Sequence, residues 1–83
     1  MLMSEKILTF ELPQDGGEIQ IHGNEEGLRE LCGVLQRLLK SPKSEHDHLF
    51  TPSWGGHELT EEKQGSATDR LINKVTIYLW RQA

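Results

Sequence analysis

One stretch of this chain, from Leu28 to Leu39, repeats its apolar residues at a helical period and carries helix signals at both ends. Leu28, Leu31, Leu35 and Leu38 recur at spacings of three and four, and Cys32 and Leu39 widen the stripe. Asn24 is a good N-cap, and Glu25 and Glu26 put negative charge on the positive end of the helix dipole. Arg37 and Lys40 put positive charge in the last turn, and Ser41-Pro42 stops the helix. With one helix, an 83-residue chain must draw the rest of its core from strands. Gly27 and Gly33 each weaken the helix by about 1 kcal/mol relative to alanine. They either let the helix approach a sheet or a second copy closely, or are weaknesses that packing tolerates.

Period-two alternation fills most of the remainder. In Lys6–Leu12, Leu8, Phe10 and Leu12 share one face, with Thr9 and Glu11 on the other. After the turn Pro13-Gln14-Asp15-Gly16-Gly17, Ile19 and Ile21 are expected inward and Glu18, Gln20 and His22 outward, making a β-hairpin. Residues 46–51 read as a short strand, 57–61 as another, 63–69 as a polar loop, and 72–80 as the strongest strand. Within the last, Val75, Ile77 and Leu79 point one way and Thr76, Tyr78 and Trp80 the other. Leu71, Ile72, Val75 and Leu79 also fit a helical stripe, but the β-branched and aromatic run from Val75 to Tyr78 favours a strand. The expected architecture is one α+β domain over 1–83, in the order β-β-α-β-β-β, with a mainly antiparallel sheet packed on one main helix.

Charge and composition narrow the function classes. Nine basic against thirteen acidic residues give a net charge of −4, without the basic footprint of a nucleic-acid binder. No apolar run approaches the ~20 residues of a membrane helix, and Met1, Leu2 and Met3 are followed at once by Ser4, Glu5 and Lys6, unlike a secretory leader. A cytoplasmic location is expected. Apolar residues make up 35% of the chain, so a compact core uses nearly all of them and leaves little for a deep pocket. A homodimer sharing apolar surface would relieve that shortage.

Four residues of the second half draw the eye: His46, Asp47, His48 and His57. His46 and His48 share a strand face at i, i+2, a spacing that can present two imidazoles to one metal. Asp47 points the other way, so a site would need His57 or His22 as third ligand. Without a fixed third ligand these read as polar residues at a strand edge and a loop, and no metal or cofactor is expected. Cys32 lies on the apolar stripe, where a free cysteine is usually an inert small hydrophobe, so no catalytic residue is assigned. Gly16-Gly17 and Gly55-Gly56 lack the lysine and spacing of phosphate-binding loops.

Trp54 sits among small residues in Thr51–Gly56. A loop tryptophan either folds back as a lid or stands out as a binding anchor. The small size of the domain favours the lid. Its residue type, the adaptable Gly55 and Gly56, and the neighbouring polar cluster instead place it in a candidate contact surface. That surface comprises His46, Asp47, His48, Trp54, His57, Glu58 and Glu61.

The order of several short segments resembles the Immunity protein 32 family of bacterial polymorphic-toxin systems. These are Ile21-His22-Gly23-Asn24, Glu26-Gly27-Leu28, His46-Asp47-His48-Leu49, Gly55-Gly56-His57-Glu58-Leu59-Thr60 and Lys74-Val75-Thr76-Ile77. The resemblance runs from about Glu18 to Ile77. Lys63–Asp69 matches nothing in it, and Ile7–Leu12 reads as an addition of this chain. The resemblance implies a cytoplasmic, non-catalytic protein that binds and neutralises a cognate toxin domain. The acidic balance suits a basic target such as a nuclease. A His-based metal or small-ligand module and a ligand-free oligomerisation domain are the competing readings.

Overall fold

The computed structural model describes residues 5–82; Met1, Leu2 and Met3, on which the reading of the leader rested, lie outside them. Five strands and one helix follow in the order β1 (Leu8–Leu12), β2 (Gln20–Gly23), α1 (Glu25–Leu39), β3 (Glu45–Phe50), β4 (Arg70–Leu71) and β5 (Lys74–Leu79). A short 3-10 turn, Pro52–Trp54, follows β3. The fold is α+β with antiparallel pairing throughout. The strands form two sheets rather than one: β2-β1-β4 and β3-β5.

The hairpin forms as its turn chemistry dictates. Gly16 N–H donates to Pro13 O at 2.9 Å, and Gly16 takes a φ of 71°, a left-handed conformation glycine adopts without cost. Asp15 accepts from Gly17 N–H at 3.0 Å. The register pairs Phe10 with Ile21 and Thr9 with His22.

β1 departs from the expected one-sided burial. Leu8 and Phe10 enter the core, yet Thr9 and Glu11 on the opposite face are also buried. The cover comes from residues 60–69. Thr60 N–H donates to Leu8 O at 2.8 Å, and Gln64 and Gly65 donate to the Glu11 carboxylate at 2.8 and 3.0 Å. The expected strand at 57–61 is instead an irregular stitch between the sheets. Leu59 N–H bonds Phe50 O of β3 and Thr60 N–H bonds Leu8 O of β1. Leu59 itself is buried with Leu8, Phe10, Val34, Leu38 and Leu49.

The helix is turned relative to the expected stripe. Gly27, Val34 and Leu38 are buried and Leu31 packs partly against the core. Leu28, Cys32, Leu35 and Leu39 face solvent. The reason lies at the N-terminus of α1. Asn24 Oδ1 accepts from both Gly27 N–H and Ile7 N–H, at 2.9 and 3.0 Å, clamping the helix start to the chain before β1. A Cβ on Gly27 would lie 1.7 Å from Ile7 O, so this approach requires glycine and fixes which side of α1 turns inward. Gly33 has no such contact, its nearest neighbour being the Arg37 side chain at 3.5 Å. It is the tolerated weakness of the two. Ile19 and Ile21 are likewise exposed, although Ile21 pairs with the buried Phe10 of β1.

Candidate partner-binding surface

β3 and β5 pair along their full length: His46 opposite Tyr78, His48 opposite Thr76, Phe50 opposite Lys74. Alternation sends Leu49, Val75, Ile77 and Leu79 toward the core and α1. It sends His46, His48, Phe50, Tyr78 and, beyond the strand end, Trp80 to the outer face. Their rings form an unbroken file. Tyr78 and Trp80 stack with centroids 5.7 Å apart and planes 7° from parallel. His46 follows at 5.4 Å from Tyr78, His48 at 4.9 Å from His46, and Phe50 at 5.9 Å from His48. The Lys74 ammonium lies 5.6 Å from the Phe50 centroid, within cation–π range. Tyr78 is 57% exposed and Trp80 75%. A shallow cleft of about 150 Å³ opens between Glu45, His46, Tyr78 and Trp80.

One ring of the file is pinned. His48 Nδ1 lies 3.0 Å from Thr76 Oγ1 across the ladder, which fixes the ring. Cross-strand aromatic pairs on a hydrogen-bonded sheet lose little conformational freedom when a partner arrives.

The seven residues singled out in the sequence divide into three groups. His46 and His48 stand together on this face. Asp47 lies on the opposite face, where its Oδ1 accepts from His48 N–H at 2.8 Å. Trp54, His57, Glu58 and Glu61 belong to the loop after β3. Trp54 is 59% exposed, so it is not a lid over the core. The core is closed there by Leu59, leaving the indole beside a groove lined by residues 70–74. His57 projects into solvent, 3.9 Å from Glu58.

Glu58 and Glu61 tie this loop to β3 and the turn. Glu58 Oε1 accepts from Phe50 N–H at 3.0 Å, and Glu61 accepts from Ser53 N–H. Burial raises the Glu58 carboxyl pKa, but the N–H groups of Phe50, Glu58 and His57 and the nearby His57 ring outweigh it, so the net shift is downward. Bonds from the Ser53 hydroxyl and N–H lower Glu61. These carboxylates hold backbone groups, which gives them a structural task in addition to surface charge.

Among the described residues, no three His, Cys, Asp or Glu side chains converge as metal ligands. Nor is any helix among them long and apolar enough to cross a membrane. Sequence reasoning missed Phe50, Tyr78 and Trp80 as one surface with the histidines. The signal was present in the alternation of 74–80; the missing piece was the pairing that sets Tyr78 opposite His46.

These features define an α+β fold with an exposed aromatic and imidazole sheet face. The family model of Immunity protein 32 matches residues 18–75, from just before β2 into β5. The chain belongs to the Immunity protein 32 family. The match runs through the loop at 63–69, which had resembled nothing, and leaves β1, Tyr78 and Trp80 outside. No curated protein and no solved structure matches the chain.

Proposed function

We propose that this protein neutralises a cognate toxin domain in the cytoplasm by stoichiometric occlusion, acting as one domain and without a catalytic step. The observation that carries the reading is the continuous ring file Trp80–Tyr78–His46–His48–Phe50 on an exposed sheet face, in a chain of an immunity family. Tryptophan and tyrosine dominate binding hot spots because they bury large areas at small entropy cost. The loop carrying Trp54, His57, Glu58 and Glu61 forms the rim. The net charge of −4 favours faster encounter with a basic partner, which points to a nuclease domain as target.

The test is co-expression with the C-terminal domain encoded by the adjacent reading frame, followed by co-purification and calorimetry. A one-to-one complex weakened by Tyr78→Ala and Trp80→Ala supports the proposal. Failure of every neighbouring product to bind counts against the function. A complex indifferent to both substitutions moves the contact elsewhere on the molecule. The metal-module reading has two adjacent imidazoles and no third ligand among the described residues to support it.

A further inference from the structure

The exposed side of α1 is a second, independent apolar surface. Leu28, Cys32, Leu35 and Leu39 follow one another at i, i+4, i+7 and i+11, one unbroken line on a helix. Leu28 leans over Gly23, where an added Cβ would lie 2.8 Å from its Cδ2. The line therefore joins Ile21, which shares that face of β2. Ile19, Ile21, Leu28, Leu35 and Leu39 are each 41% to 64% exposed. Exposed apolar side chains gathered on one face, rather than scattered singly, mark an interaction site.

The charges beside the line identify the occupant. Glu25 and Glu26 lie at its N-terminal end, where Glu25 also accepts from Arg29 one turn on at 2.6 Å. Lys40 and Lys43 lie at its C-terminal end, where Arg81 also donates to Leu39 O at 2.8 Å. The surface is thus acidic at one end, apolar along its length and basic at the other. Two copies placed antiparallel about a two-fold axis bring the acidic end of each to the basic end of the other. Leu28 of one meets Leu39 of the other, Cys32 meets Leu35, Glu25 approaches Lys40, and the helix dipoles oppose. A parallel pair would set like charges together at both ends.

We propose that this protein self-associates into a two-fold dimer through antiparallel packing of α1, with the Leu28–Leu39 line at its centre. The dimer leaves the ring file free, because that face points away from α1. The inference does not rest on the toxin-binding reading and stands or falls separately.

Sedimentation equilibrium of the full chain at tens of micromolar should give the mass of two chains. Leu35→Glu should give a monomer with an unchanged far-UV spectrum. Glu25→Lys should loosen the dimer, and adding Lys40→Glu should restore it, a rescue that decides the matter should Leu35→Glu fail to fold. A short bis-maleimide matched to the ~8–10 Å spacing of packed helices should join two chains through Cys32, and Cys32→Ser should abolish the product. A wild-type monomer at these concentrations overturns the proposal. So does a dimer that gives no Cys32 cross-link, or one that dissociates on Trp80→Ala.

Discussion

The Glu11 carboxylate, buried in the middle strand of one sheet, accepts a hydrogen bond at 3.0 Å from the backbone N–H of Gly65, 54 residues further along the chain. Gln64 N–H and the Thr9 hydroxyl complete its shell, at 2.8 and 2.6 Å, and His22 stands 4.0 Å away. One side chain thereby holds the loop at 63–69 against β1.

That arrangement has a pH signature. Burial raises the Glu11 carboxyl pKa, but the bonds from Gln64, Thr9 and Gly65 and the nearby His22 outweigh it and leave it below its ordinary 4.5. A carboxyl group depressed by folding stabilises the native state above its unfolded pKa, and that contribution is lost as pH falls through the folded value. Thermal melts should therefore show stability declining on acidification from about pH 4.5. Glu11→Gln presents an amide where two N–H donors converge, so one loses its partner. It should cost about 2 kcal/mol at neutral pH, or ~8–16 °C in Tm. It should also reduce the acid slope. An unchanged slope would refute the assignment.

Gly27 and Gly33 should respond oppositely to alanine. Gly27→Ala forces a methyl into Ile7 O and should destabilise by about 3 kcal/mol or more, through a backbone shift at the helix start. Gly33→Ala meets only a flexible arginine side chain and should stabilise by up to ~1 kcal/mol. Urea titrations of the two variants measure both.

Trp54 and Leu59 separate surface from core within one loop. Trp54→Ala should shift Tm by only a few degrees, because more than half of the side chain already lies in solvent. Leu59→Ala removes a fully buried side chain at the junction of the sheets and should cost ~2–5 kcal/mol. Equal effects would mean that the indole closes the core after all.

On the ring file, Tyr78→Ala and Trp80→Ala should leave the melt nearly unchanged and weaken binding of the proposed toxin partner by about 2 kcal/mol each, roughly thirtyfold. Calorimetry against the cognate domain reads this directly.

Local pattern carried much of the fold. The hairpin, the bounds of α1 and the inward set Val75, Ile77 and Leu79 were all legible, because turn residues, caps and alternation act over a few positions. What escaped was set by distant chain. Thr9 and Glu11 read as solvent-facing because nothing near them announces the cover supplied by Thr60, Gln64 and Gly65. The helix stripe read one step out of phase because leucine count outweighed Gly27, whose contact with Ile7 decides the rotation. At the candidate surface, His46 and His48 were legible as a pair. Their aromatic neighbours were not, because the register of β3 against β5 is a tertiary fact.

The lateness of the β1 cover has a consequence for biosynthesis. β1 leaves the ribosome early, but the segments that cover its second face and pair its free edge, residues 60–71, come some fifty residues later. At ~5–20 residues per second, that interval lasts roughly 3 to 10 seconds. Until it ends, the nascent hairpin carries an open strand edge, the feature that recruits chaperones or neighbouring chains.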